Sequence, residues 1–372
     1  MFDFFVITPL GFEEDTYKEI QLNLSLVEEQ NFTINVVKGG VEVNCSLNAG
    51  LCLNQRLKLA TRILFRIEKF PVFFFNELDK KIRKIDFSKF FKPDDEVFIK
   101  VDSKKSKLGQ EKKIFAVFEK IFKEKFKKIQ IISKASEVSE KTQRLYVDIY
   151  EDQCRLSYDT TGEPLYKRKF EKWNHEAPMR ETIAHWGLIK MMEVLSPWSE
   201  PMNFIDPFCG SGTLVLEALE FNQSLNRSFS FQKSLLLSQG KNFFLDEVKP
   251  LPFIKYFAMD LQQEAIDASK KNISIGLSPD KVEFILGDSL DLKDSFKNRD
   301  NIPSWLITNL PYGKRVKDQL PGNLVEILKN KYDVKIMGLF HPKKWQDKTA
   351  KKTIHYPVEN GGLKIFFSVL VF

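Results

Sequence analysis

Hydrophobic positions alternate between two periods along the chain. Residues 2–7 form an apolar run closed by Thr8-Pro9-Leu10-Gly11, which predicts a buried strand, and a polar helical stretch follows to about residue 26. Residues 32–37 and 40–43 read as two strands joined at Lys38-Gly39-Gly40, a hairpin turn. Residues 47–65 predict one helix with Leu51, Leu57, Ala60 and Leu64 on a face, and residues 67–74 a strand that Pro71 marks as an edge or an end. A short helix and turn over 79–91 and a strand over 96–101 follow. Ile114, Phe118, Ile121 and Phe122 then mark an amphipathic helix, and residues 145–150 and 154–157 a hairpin. This half reads as β-α-β-β, twice. Asp159-Thr160-Thr161-Gly162-Glu163-Pro164 breaks the pattern and predicts a joint, with domains over residues 1–160 and 161–372.

Beyond the joint, a helix should start after Ala177-Pro178-Met179-Arg180-Glu181-Thr182 and end before Pro197 and Pro201. Strands are predicted at 203–206, 256–259, 282–286, 305–308 and 334–340, with helices from 214 and over 264–273, and residues 222–252 read as irregular. Residues 354–356 and 363–372 predict a closing hairpin. Strand and helix alternate through residue 273, which implies a largely parallel α/β sheet with an antiparallel end.

Composition narrows the class. A chain of 372 residues that is 43% hydrophobic can bury two or three cores. Cys45, Cys52, Cys154 and Cys209 show no metal-ligand spacing and there are four histidines, so neither zinc nor a disulfide framework is expected. Met1-Phe2-Asp3-Phe4-Phe5 lacks the basic start of a signal peptide, and no apolar run is long enough for a span, so a cytoplasmic protein is expected. Net charge is +7, but residues 100–128 hold eleven lysines against four acids. That local field suits a polyanion, or is a solvated helix face.

The chemistry lies at four strand ends, Asp206, Asp260, Asp288 and Asn309. After Asp206 comes Pro207-Phe208-Cys209-Gly210-Ser211-Gly212-Thr213, a tight loop leading into a helix. A dinucleotide fingerprint needs a third glycine where Val215 stands, and no Gly-Lys-Ser/Thr follows for a P-loop. The pocket suits a nucleoside without phosphates, such as S-adenosylmethionine. An acid after the second strand can hold ribose hydroxyls and one after the third an adenine amine, although either can equally be a helix cap. In Asn309-Leu310-Pro311-Tyr312, the Asn309 amide oxygen and Leu310 carbonyl are two acceptors for an exocyclic amine. Pro311 stiffens the turn and Tyr312 offers a face for a base.

Two stretches, Asp206–Thr213 and Asn309-Leu310-Pro311-Tyr312-Gly313, resemble motifs I and IV of amino-group methyltransferases. Leu156-Ser157-Tyr158 through Arg168, and Ala177 through Thr182, resemble the junction of THUMP-containing RNA guanine-N2 methyltransferases. Pro9-Leu10-Gly11-Phe12-Glu13-Glu14, Gly39-Gly40-Val41 and Ser103-Lys104-Lys105-Ser106-Lys107-Leu108 match the amino-terminal part of that family, whose bacterial 23S rRNA branch is most similar. The resemblance implies a ferredoxin-like plus THUMP module that captures structured RNA, then a Rossmann-like class I domain using S-adenosylmethionine. It places Asp206 to Thr213, Asp260, Asp288 and Thr182 at the cofactor, and Asn309, Leu310, Pro311 and Tyr312 at the base. Lys104, Lys105, Lys107, Arg168 and Arg62 are the expected RNA contacts. Leu310 stands where the rRNA branch usually has a proline, and leucine there occurs in tRNA-modifying relatives. An RNA-binding assembly factor is the non-enzymatic alternative. No feature of the sequence speaks to oligomeric state.

Overall fold

The computed structural model describes residues 1–168, 173, 179–196, 200–225, 227–239, 251–274, 276, 278–291, 302–312, 320–360 and 362–372. Ala177, Pro178, Pro197 and Gly313, named above, lie outside them. The chain divides into two compact units: Met1–Lys169 with Ser224–Asp246, and Phe170–Gln223 with Glu247–Phe372.

Unit 1 is built on an eight-stranded sheet of β1 (Phe2–Ile7), β2 (Thr33–Val37), β3 (Gly40–Cys45), β4 (Arg62–Pro71), β5 (Glu96–Lys104), β6 (Gln130–Ile132), β7 (Gln143–Tyr150) and β8 (Gln153–Asp159). Their order is β2-β3-β1-β4-β8-β7-β5-β6. The helices are α1 (Glu13–Leu26), α2 (Leu47–Arg56), α3 (Phe75–Lys84) and α4 (Glu111–Lys125). In α4, Ile114, Phe118, Ile121 and Phe122 are all buried, and each such side chain stabilises by roughly 1.5–3 kcal/mol. Phe122 meets Phe87 and Phe91 at ring separations of 4.7 and 5.5 Å.

The long helix expected over residues 47–65 is two elements. It stops at Arg56, Leu57 is extended (φ −75°, ψ 130°), and Arg62 already belongs to β4. β4 lies between β1 and β8 in the middle of the sheet, and Ile63, Leu64 and Phe65 are all buried. A strand covered on both faces loses its alternation, so its start imitates a helical face. Pro71 is its last residue, an end and not an edge.

Residues 222–252, read as irregular, include a segment that completes the core of unit 1. Leu225, Phe229, Phe231 and Leu237 are buried there. The Leu225 amide donates to the Gln55 carbonyl (2.7 Å), the Phe231 amide to Thr160 (3.0 Å), and the Tyr158 hydroxyl to the Ser230 carbonyl (2.8 Å). The Arg227 guanidinium donates to the carbonyls of Pro164 (3.0 Å), Arg168 (3.1 Å) and Glu163, and so fastens the joint.

Unit 2 contains β9 (Met202–Asp206), β10 (Phe253–Asp260), β11 (Val282–Leu286), β12 (Ser304–Asn309), β13 (Val334–His341), β14 (Lys352–Asn360) and β15 (Leu363–Val371). The order is β11-β10-β9-β12-β13-β15-β14. The pairings from β11 to β13 are parallel, and β15 runs antiparallel to β13 and β14. Helices α5 (Glu181–Leu195), α6 (Thr213–Leu219), α7 (Gln263–Ser274) and α8 (Leu324–Tyr332) complete the unit. All of β9 is buried, and β12 is buried up to Asn309, as expected for central strands covered on both faces.

Candidate active site

The strand order places the four polar strand ends side by side. Asp288 follows β11, Asp260 ends β10, Asp206 ends β9 and Asn309 ends β12. The chain goes to one side of β9 for β10 and β11 and to the other for β12 and β13. Such a reversal opens a crevice at the carboxyl ends of the strands, where open α/β sheets bind ligands.

The loop between β9 and α6 is tied down on both sides. Asp206 is buried, and its Oδ1 accepts from the Thr308 hydroxyl (2.7 Å) and the Phe208 amide (3.3 Å). Burial pushes its carboxyl up to about 7; the two hydrogen bonds oppose the shift and the Asp260 charge adds to it. The Cys209 amide donates to the Met259 carbonyl (2.7 Å) and the Gly212 amide to the Cys209 carbonyl (2.8 Å). Asp260 accepts from the Gly210 amide (2.9 Å) and, through its other oxygen, from the Gln262 amide at the α7 entry (3.0 Å). Asn272 Nδ2 donates to the Ser211 carbonyl (2.9 Å).

The two glycines serve different ends. Gly212 sits at φ +78°, and a Cβ there would come within 2.3 Å of Ser269 Oγ, so it lets the α6 entry close on α7. Gly210 has φ +51°, and a Cβ there would meet nothing within 4 Å. It borders open space that a ligand can approach. Pro207 and Thr213 are buried at the two ends of the loop, and Cys209 is a buried thiol whose ionisation burial pushes well up. Asp288 Oδ1 accepts from the Leu290 amide (2.8 Å). Asp260 and Asp288 thus act locally as turn and helix caps, and both keep lone pairs for further donors. Thr182 is buried in the first turn of α5, which packs on α6.

Asn309 carries the sharpest signal. Its Oδ1 is buried and has no hydrogen-bond partner. Such an orphaned acceptor costs about 1–3 kcal/mol, so it calls for a donor from outside the chain. Leu310 is buried, its amide donating to the Phe340 carbonyl (3.2 Å). Tyr312, like Pro311, is half-buried. Asn360 Nδ2 donates to its hydroxyl (3.2 Å), and its ring stands edge-on to His341 with centroids 6.0 Å apart. Thr308, His341 and Asn360 escape sequence reading because they come from other positions or strands and belong to no local motif.

The expected RNA contacts all lie in unit 1 but differ in kind. Lys104, Lys105 and Lys107 are exposed around the turn after β5. Lys105 lies over the Tyr150 ring (5.3 Å) and Lys107 over Phe73 (5.0 Å). Arg62 is instead held by Asp159 (2.5 Å) and the Gly162 carbonyl. Arg168 is buried, donating to the carbonyls of Lys58 (3.2 Å) and Leu165 (3.1 Å). Both arginines, expected to face RNA, bond within unit 1: Arg168 because a buried guanidinium must satisfy its donors internally, and the half-buried Arg62 through its ion pair with Asp159. Among the described residues no cluster of three or more His, Cys, Asp or Glu could hold a metal, and no helix is long and apolar enough to cross a membrane.

Residues 168–329 match the RMKL-like methyltransferase domain family (UPF0020). The Bacillus subtilis protein YpsC is 26% identical over 325 residues, covering 84% of this chain and 79% of that protein. The tRNA (guanine(6)-N2)-methyltransferase of Methanocaldococcus jannaschii is 29% identical over 180 residues, 46% of this chain and 45% of its own length. The ribosomal RNA large subunit methyltransferase K/L of Shewanella frigidimarina is 27% identical over 196 residues, 49% of this chain but 25% of its own. Among solved structures, a possible methylase from Clostridium difficile 630 superposes with a TM-score of 0.71 at 24% identity, covering 100% of this chain and 98% of that one. SMU.472, solved in complex with SAH, gives 0.69 at 24%, with the same coverage. The similarity to a methyltransferase domain thus spans residues 168–329, and the full-length likeness to the two solved structures is one of fold.

Proposed function

We propose that this protein methylates the exocyclic N2 of a guanine in RNA, with 23S rRNA as the substrate. The observation that carries this reading is the orphaned, buried Oδ1 of Asn309 beside the Asp206 loop. An amine brought there supplies the missing donor. The open space over Gly210 and the lone pairs left on Asp260 and Asp288 fit a nucleoside-bearing donor in the same crevice. S-adenosylmethionine supplies an electrophilic methyl group on a positively charged sulfur. The loop from Asp206 to Thr213 would hold its amino-acid end with Thr182 nearby, Asp260 its ribose and Asp288 its adenine.

Asn309 Oδ1 and the Leu310 carbonyl would accept the two amine hydrogens, turning the nitrogen lone pair toward the methyl group. Tyr312, steadied by Asn360, would stack on the base, worth roughly 1–3 kcal/mol. Nothing in this arrangement calls for a covalent enzyme intermediate. Rate would come from positioning the two reactants. Asn309→Ala should lower methyl transfer to RNA by at least about a hundredfold, as loss of one oriented polar group does elsewhere. S-adenosylmethionine affinity, read by calorimetry, should stay close to wild type. Turnover retained by the variant would remove Asn309 from the reaction.

Unit 1 would be the ferredoxin-like plus THUMP module, with Lys104, Lys105 and Lys107 meeting phosphates. A tRNA guanine is the second reading. Leu310 favours it, as does the similarity to a tRNA-modifying relative. Mapping N2-methylguanosine in rRNA and tRNA from a deletion strain separates the two.

A further inference from the structure

Unit 1 carries an open groove of about 610 Å³ between β4 and α3, well away in sequence from the lysine turn at 104–107. Its floor is aromatic. Phe2 and Phe65 lie 5.8 Å apart, as do Phe65 and Phe90; the last two are buried in the core, and the row surfaces at Phe2, which is 38% exposed. Its rim is cationic. Arg66, Lys81, Lys84 and Lys89 line it against two acids, Glu68 and Asp86. Asp86 is turned into its own turn, accepting from the Ser88 amide (3.2 Å) and hydroxyl (2.5 Å). Arg66 is anchored on the Ser157 hydroxyl (2.7 Å), and Lys81 on the Pro71 carbonyl (2.5 Å). Lys84 and Lys89 are exposed, with no acid within ion-pair distance among the described residues.

An exposed ring backed by a buried aromatic row, beside unpaired cations, is what a single nucleic-acid strand requires, since its bases present faces to stack and its phosphates need neutralising. A duplex hides its base faces. A small apolar ligand would leave the rim cations unanswered. We infer that this groove seats an unpaired RNA segment, bases against the Phe2 end and phosphates on Lys84 and Lys89. The inference rests on the RNA reading above and adds that the substrate offers a single strand apart from the methylated base.

The test uses the full chain and a fluorescein-labelled oligouridylate, with affinity read by anisotropy over a salt series. The double variant Lys84→Glu/Lys89→Glu should weaken binding by about tenfold or more at low salt and reduce the salt slope by about 1.4, two contacts at about 0.7 each. Phe2→Ala should weaken it by about fivefold or more, the low end of one lost stack. A blunt RNA duplex should bind both variants as it binds wild type. Unchanged affinity and slope would overturn the inference, as would equal loss for duplex and single strand, or competition by oligoglutamate as strong as by RNA. Methyl transfer to total RNA is measured in parallel. Transfer retained with oligouridylate binding unchanged removes the groove alone. A wild-type protein that transfers no methyl group removes the proposed reaction and leaves the binding result to judge the groove.

Discussion

At the scale of single residues, the site is defined by polar atoms placed where they are costly. Asp206 is the clearest case. Its carboxyl is raised from the usual 3.8 to about 7, chiefly by burial. Between those values the folded protein holds a proton that the unfolded chain has released. The stability this contributes is fully present below pH 3.8, declines across the window and is lost above about 7. Asp206→Asn keeps an acceptor for the Thr308 hydroxyl but cannot ionise. Its stability relative to wild type should therefore rise across that window and level off above it, by no more than about 4 kcal/mol. Calorimetric melting of both proteins against pH checks this; a constant difference would mean that another group titrates. Glu19, also buried and raised to about 7, is common to both proteins and cancels in the comparison.

At the scale of elements, the loop from β9 to α6 divides its labour between two glycines. Gly212→Ala forces a side chain into φ +78° and onto Ser269, so it should destabilise the fold by about 1–3 kcal/mol. Gly210→Ala meets no neighbour and should cost less stability, while its methyl group intrudes on the crevice and weakens S-adenosylmethionine binding. Melting temperature and titration calorimetry on the pair separate the effects. Equal loss of cofactor affinity with equal destabilisation would deny the division. This loop was legible in the sequence because strand, glycines and helix are contiguous there. The helix α4 was legible too, its apolar face spaced regularly. Elements buried on more than one side were harder. The start of β4 imitates the end of a helix, and α8, with Leu324, Val325, Leu328 and Tyr332 buried, has too short a pattern to stand out between the motifs around it. The support for Tyr312 was invisible, because Asn360 and His341 reach it only through the order of strands.

At the scale of the whole molecule, the units are compact but the chain does not visit them once each. Leu225, Phe229, Phe231 and Leu237 leave the second half of the sequence to fill the core of unit 1. A fragment of residues 1–169 should lack that filling. It should unfold at lower urea than the same fragment joined by a short linker to residues 224–239; equal midpoints would show the segment to be dispensable. Residue order alone carries no sign of this, since a short irregular stretch has no period and its aromatics could serve either core. The consequence reaches into synthesis. A polypeptide leaves the ribosome amino end first, and leading domains commonly fold before trailing ones are made. Here β9 and α6 must emerge before the residues that close the first core. The nascent first half has to wait, its aromatic seat uncovered, while the second half begins to form, so maturation of the two units overlaps in time.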